Sequence, residues 1–284
     1  VVVPFVSYFD WALSLSVIGQ QILFRSGEGL NVSFRVDRSL SSTPDTARFE
    51  IENLDPDRAS LMNRAFSELG TSAPEVTTVT ARAGYKDVLG GLFKGNLRSF
   101  RTQVQRRSSV WSVAEADDGG DVFTDVQLRL PPTIASAAST MITAAASAMS
   151  LTLSPSVGAV LSTSIYANTP FTSTGSSSAA ELLDAAARRL RARWWIRDGQ
   201  VHMAQRGVVD PTRPSVVISE RILVGPAEED GSGIFRLRVF MDPNVVPGGQ
   251  VTFRATALRV EHVVHSGETR GTSPWTSVIT GRVL

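Results

Sequence analysis

The sequence predicts a mainly β protein in which two antiparallel blocks flank a small α+β unit. Three observations predict it. Apolar and polar residues alternate through most of the chain, at the period of two that sends successive side chains to opposite faces of a strand. Clusters of Gly, Pro, Asp, Asn and Ser separate these runs at short spacing. Only between Pro131 and about Gly207 does the pattern become helical. The expected parts are residues 1–130, 131–207 and 208–284, the outer two as small barrels or sandwiches.

The totals set the limits. The length of 284 residues suggests two or three domains, and 42% hydrophobic residues suffice for buried cores. A net charge of +1 gives no global field to recruit nucleic acid or an anionic membrane. The absence of cysteine excludes disulfides, thiolate nucleophiles and Cys-ligated zinc. The apolar start, VVVPFVSYFDWALSLSVIG, lacks a basic leader and holds Pro4 and Asp10, so it does not read as a signal peptide. Residues 131–177 are rich in Ala, Ser and Thr and carry Pro155 and Pro170, so no bilayer span is expected.

The organising stretch is Phe34–Met62. Val32, Phe34 and Val36 alternate in one run and Phe49 and Ile51 in the next, with Arg35, Asp37, Arg48 and Glu50 on the opposite face. Between them SLSSTPDT favours a turn, since Pro44 fixes φ and Asp45 can bond neighbouring backbone. Asp55 is placed as a helix N-cap and Pro56 as the first helical residue, with Leu61, Met62, Ala65, Phe66 and Leu69 on the apolar face and Gly70 as the stop. Residues 1–24 read as an edge strand or arm. Strands are expected at Val76–Ala83, through Leu92–Leu97, over Ser99–Val113 and at Phe123–Leu130. Arg106-Arg107 reads as a turn and Glu115–Asp121 as an acidic, solvated tip.

In the middle unit, Ile134–Met149 has one helical face. Leu151–Leu161 reads as a short strand and loop, and Phe171–Ser177 as a linker. Ser178 and Glu181 form a capping box for a helix that buries Leu182, Leu183, Ala186 and Leu190. A hairpin turns at Asp198-Gly199, a favoured two-residue loop. In the last block, strands are expected at Val216–Ile218, Ile222–Val224, Ile234–Met241, Val251–Phe253, Leu258–Val264 and Trp275–Leu284, with turns at GPAEEDGSG and at His265–Glu268.

Residue chemistry offers few candidate sites. Glu261, His262 and His265 form the one metal-like cluster, yet residues three apart on a strand face opposite ways. Asp117, Asp118 and Asp121 lack the spacing of an EF-hand loop, and Glu228-Glu229-Asp230 reads as a solvated tip. Gly84, Gly90-Gly91 and Gly95 fit no phosphate loop. No G-x-S-x-G or Ser-His-acid grouping is present. Of Trp194 and Trp195, neighbours on a strand, one is expected in the core and the other at a surface. Arg188, Arg189, Arg191 and Arg193 make a basic stripe suited to a solvated face or to salt bridges between subunits. No catalytic, cofactor-binding or metal-binding residue is assigned.

The order of FEIENL at 49–54, a helix, AGY at 83–85 and LFKGNL at 92–97 resembles the N-terminal part of phage tail hub proteins. That family comprises baseplate and tail-tip hubs, including the late control protein D-like group. The stretches GSSSAAELLDAAARRLRARWWIRDGQVHMAQRG, MDPNVVPGGQVTF and LRVEHVVHSGETRGTSPWTSVITGRV extend the resemblance from Asn31 to Val283, with residues 133–177 departing from the pattern. The resemblance implies two tail-tube-like β-barrels around the α+β domain and a non-catalytic homotrimeric ring without cofactors, joining the tail tube to the central spike or tip. Its implied partners are itself, the tail tube protein, the spike or tip and other baseplate proteins, in the virion. Nucleic-acid binding and stable membrane insertion are not expected.

Two other classes remain open on sequence. A carbohydrate- or cell-wall-binding module would use Trp194, Trp195 or Trp275 as stacking surfaces. A tail-borne peptidoglycan hydrolase would need a paired-carboxylate or metal site, which the sequence does not supply.

Overall fold

The computed structural model describes residues 9–17, 20–26, 28–60, 62, 78–85, 89–104, 110–119, 126–129, 135–168, 171–172, 176–270 and 273–284. Alternation becomes strand where expected in the first block. Its strands are β1 (Phe9–Val17), β2 (Gln20–Arg25), β3 (Asn31–Ser39), β4 (Thr46–Glu52), β5 (Thr78–Tyr85), β6 (Gly90–Val104) and β7 (Val110–Asp117). In β3 and β4 the apolar residues Val32, Phe34, Val36, Phe49 and Ile51 are buried. Asp55 caps the helical turn at 56–60 by accepting from the N–H groups of Asp57 (3.1 Å) and Arg58 (3.0 Å). The rest of that expected helix, 61 and 63–70, lies outside the described residues, as does Arg106-Arg107.

The middle unit is more regular than its sequence suggests. β8 (Gln127–Arg129) and β9 (Ala135–Ser136) precede α1 (Ala138–Ala148), followed by β10 (Thr152–Leu153), α2 (Pro155–Thr163), β11 (Phe171–Thr172) and β12 (Ser176–Ser178). Then come α3 (Ala179–Arg189), β13 (Ala192–Arg197) and β14 (Gln200–Gln205). Leu151–Leu161 is therefore mostly helix. Ser154 caps it by accepting from Ser156 N–H at 3.3 Å, and Pro155 sits where a missing N–H is harmless. Phe171–Ser177 is no bare linker either, because β11 pairs with β9 and β12 with β8. The capping box of α3 is present in both directions, with 2.8 Å and 3.2 Å hydrogen bonds. The hairpin turns at Asp198 (φ 53°) and Gly199 (φ 73°), the pair of left-handed residues that a tight primed turn requires.

The last block holds β15 (Ser215–Ile218), β16 (Glu228–Glu229), β17 (Ile234–Phe240), β18 (Gln250–Phe253), β19 (Thr256–Glu268) and β20 (Thr276–Val283). Ile222–Val224, expected as a strand, is instead the end of a 3-10 turn (Glu220–Ile222) followed by a single bridge from Leu223 to Val239. β15 runs parallel to β18, an exception to the antiparallel pattern.

Among the described residues neither block closes into a barrel of its own. Their strands make one 13-stranded sheet, ordered β2-β1-β5-β6-β7-β4-β3-β19-β20-β17-β16 with β18 on β19 and β15 on β18. Among the described residues the path runs from β2 to β16 without closing. The physical cause is β19, whose one edge pairs with β20 while its other edge pairs first with β18 (256–259) and then with β3 (262–268). One strand thus belongs to both blocks. The cores follow suit: Met241 and Trp275, from the last block, pack in the cluster that includes Trp11, Phe34, Phe49 and Phe93. A second cluster joins α1, α2, α3 and the hairpin, and a third lies under β17–β20.

The turn expected at His265–Glu268 is strand, because β19 continues through Glu268. Gly267 serves close approach instead: an added Cβ would lie 2.5 Å from Cγ of Trp275.

Candidate functional site

Several of the polar groups that the fold buries, Arg38, Asp45, Arg197, His202 and Arg259 among them, gather where the β13–β14 hairpin lies against β3 and β19. Asp45, at the end of the β3–β4 turn, holds this seam. Its Oδ1 accepts from Ser39 N–H at 3.0 Å, as an Asp in a turn would. Its Oδ2 accepts from Arg38 Nε at 3.2 Å and from Arg197 Nε at 2.9 Å. All three side chains are buried, with 9%, 5% and 2% of the Arg38, Asp45 and Arg197 side chains exposed. One carboxylate therefore serves two guanidinium groups, one from the sheet and one from the hairpin. Burial, with the nearby Arg197 charge, lowers the Arg38 pKa to about 10.

A second link runs beside the first. Arg193 Nη1 lies 2.5 Å from Oε2 of Glu261 on β19, whose Oε1 pairs with Arg259 Nη2. Arg259 Nη1 reaches the carbonyls of Gln205 and Val208, both at 3.4 Å. Burial opposes ionisation of Glu261, but the bonds and charges of Arg259 and Arg193 outweigh it and lower its pKa.

Both tryptophans of the hairpin are buried, which corrects the expectation that one faces a surface. Neighbours on a strand do point opposite ways, but this hairpin is covered on both sides. Trp194 packs towards the helices, and its Nε1 donates to Asp184 at 2.7 Å. Trp195 packs with Leu40 and Ala204 against the sheet and stacks on His202 with ring centroids 5.6 Å apart. Trp275 is fully buried, edge-on to Phe34 at 5.1 Å. None of the three offers a face on which a sugar could stack.

The histidines part company. His262 Nε2 lies 2.6 Å from Asp37 Oδ1 on the polar face, while His265 is buried and bonded through Nδ1 to Ser277 Oγ at 2.8 Å. Burial, then the Arg38 charge, lowers the His265 pKa to about 3. Burial, then Arg213 and Arg197, lowers that of His202 to about 4. Among the described residues no group of three His, Cys, Asp or Glu could hold a metal ion, and no helix is long and apolar enough to cross a membrane.

The acidic stretch at 115–121 is not a solvated tip over its described part. Glu115 ends two ion pairs on the sheet, with Arg48 at 3.1 Å and Arg101 at 3.2 Å. Asp117 is buried and meets Arg98 Nε at 2.5 Å, and Asp118 is buried beside the Asp45 backbone. Asp121 lies outside the described residues. Glu228, Glu229 and Asp230 are exposed, as expected of a solvated tip.

No protein-family model matches the sequence, and no curated protein does. Solved structures match over nearly the whole chain. The 43 kDa tail protein of prophage MuSo2 from Shewanella oneidensis aligns with a TM-score of 0.60 at 10% identity, covering 95% of this chain and 97% of that one. The tail protein from Neisseria meningitidis MC58 gives 0.58 at 10% identity, covering 96% of each chain. The chain has the fold of these tail proteins. The E. coli c3393 protein also matches, with a TM-score of 0.56 at 8% identity over 95% of this chain and 76% of that one. That protein is described as a component of the type VI secretion system with structural similarity to the T4 tail proteins gp27 and gp5. Within this tail-protein fold, the Asp45 seam and the Arg193–Glu261–Arg259 link beside it join the α+β unit to the sheet.

Proposed function

We propose that the chain is a structural, non-catalytic hub of a phage or phage-derived tail: a homotrimeric ring that joins the tail tube to the central spike or tip. The observation that carries the reading is the match to two prophage and bacterial tail proteins over at least 95% of both chains. In this reading the halves of the sheet, within residues 1–130 and 208–284, are the two tube-like modules. Two such modules per chain let three chains meet a six-fold tube, and residues 131–207 face the surrounding baseplate. A closed ring also covers strand edges such as β2 and β16 that would otherwise invite uncontrolled pairing. The virion tail is the proposed location, and the partners are the tube, the spike or tip and baseplate proteins.

The burial of Trp194, Trp195 and Trp275 argues against the glycan-binding alternative, which needs an exposed ring. The test is a cryo-EM map of the particle together with the native mass of the chain mixed with its tube protein. A ring on the tail axis is expected. Density for this chain away from that axis would overturn the reading.

A further inference from the structure

Where α3 ends and β13 begins, a cleft of about 370 Å³ opens over the seam. Its charged wall is Arg188, Arg193 and Arg206, faced by Ser41 and Ser42 of the β3–β4 turn. Arg193 is committed to Glu261, but Arg188 and Arg206 are exposed and form no ion pair among the described residues. Arg191 is exposed too, outside the cleft wall, and its carbonyl accepts from Arg206 N–H at 3.1 Å. The one carboxylate in the wall, Asp184, accepts from Trp194 Nε1 and keeps its charge, so three guanidinium groups there face one carboxylate. The cleft is thus a basic surface shared by the sheet and the α+β unit, on a chain whose net charge is only +1.

The compensating acid lies elsewhere. Glu228, Glu229 and Asp230 are consecutive and exposed on the β16–β17 hairpin, and none forms an ion pair among the described residues. Arg236, across the ladder from Glu228, and Arg282, near Asp230, offset part of this charge without closing a bridge. β16 ends the path of the sheet, so its outer edge has no strand beside it among the described residues.

We propose that the acidic β16–β17 tip of one copy docks in the basic cleft of the next. This rests on the ring reading above and names its contact. Because tip and cleft are different surfaces of one chain, the contact is head-to-tail, the kind that closes a ring when the rotation allows. A carboxylate in the cleft would touch both walls and brace the α+β unit on the sheet of its own copy. Opposed charges at an exposed rim chiefly steer and orient encounter, so the association weakens as salt rises.

The test is sedimentation velocity of the full chain over a wide concentration range at about 50 mM salt, where surface charges remain weakly screened. E228K/E229K reverses the tip and leaves Asp230 to its turn; R188E/R206E reverses the cleft. Each is expected to weaken self-association at least about tenfold, and the chain carrying all four is expected to return to within about threefold of wild type. R188K/R206K keeps the charge and should assemble as wild type does, with circular dichroism checking each fold. Wild-type assembly in either reversed variant, or no recovery in the combined one, would overturn the contact. A wild-type chain that stays monomeric at every concentration would also overturn it. The outcomes separate from the hub reading: a chain on the tail axis that assembles regardless of these charges keeps the hub and loses this contact.

Discussion

Arg197 Nε donates to Asp45 Oδ2 at 2.9 Å across a sequence separation of 152 residues. The same oxygen accepts from Arg38, so one carboxylate joins the hairpin to the sheet and pairs with a buried cation on each. Removing one member of such a group is costly because the charges left behind stay buried.

Asp45→Ala is therefore expected to destabilise the protein by about 3–5 kcal/mol. Arg193→Ala is the comparison, because the Arg193 side chain is 40% exposed and Glu261 keeps Arg259. Its expected cost is about 1 kcal/mol or less. Urea unfolding of both variants checks the order, and equal costs would remove the seam's special role.

The same burial sets a pH dependence. His202 and His265 hold folded pKa values of about 4 and about 3, below the ordinary histidine value of 6.5. The unfolded chain therefore binds more protons than the folded one between these limits. Stability is fully present above about pH 6.5 and falls as pH drops towards the folded values, by at most about 1.4 kcal/mol per pH unit per histidine. Glu261, whose pKa lies below its ordinary 4.5, keeps its contribution until the pH falls below that ordinary value. Urea midpoints at pH 7, 6 and 5 should decline, and the decline should shrink in His202→Gln. A midpoint that is flat from pH 7 to 5 contradicts the burial of these rings as neutral groups.

Local rules made much of this fold legible. Strict alternation placed Val32, Phe34, Val36, Phe49 and Ile51 on the buried face, and Ser178, Asp55 and Asp198-Gly199 gave two caps and a tight turn. Ser154-Pro155 repeats the cap-then-proline signal of Asp55-Pro56, but its short helix, PSVGAVLST, shows a weak apolar face. What local pattern could not carry was pairing at a distance. Nothing near Thr256–Glu268 says that its edge is divided between β18 and β3, so one shared sheet looked like two blocks. The seam was hidden for the same reason: Asp45 sits in a turn-forming sequence, and its second partner is on another unit. Trp194 and Trp195 were placed on opposite faces correctly, while the cover on both faces comes from elements distant in sequence.

The capping box gives a local prediction. Ser178 accepts from Glu181 N–H, and Glu181 returns a bond to Ser178 N–H. Ser178→Ala leaves an N-terminal donor of α3 without its partner and should cost about 1 kcal/mol. Hydrogen exchange should accelerate in the first turn of α3 more than in β3 or β4. Acceleration spread evenly over the sheet would contradict a local cap.

Gly267 tests the shared core. A Cβ there would lie 2.5 Å from Cγ and 2.6 Å from Cδ1 of Trp275, closer than real Cβ contacts come. The ring cannot easily yield, because it is fully buried, edge-on to Phe34 and tied by Nε1 to the Glu268 carbonyl at 3.1 Å. Gly267→Ala is therefore expected to cost about 1–3 kcal/mol through overpacking. At Gly91 an added Cβ meets nothing within 4 Å, so Gly91→Ala should leave stability nearly unchanged. Thermal unfolding compares the two, and near-ultraviolet circular dichroism reports the Trp275 environment. Loss in both measurements for Gly267→Ala alone is expected, because Trp275 sits between the last block and the core of the first. Equal stability in the two variants would mean that the ring can move and that the two blocks are less firmly joined than this packing requires.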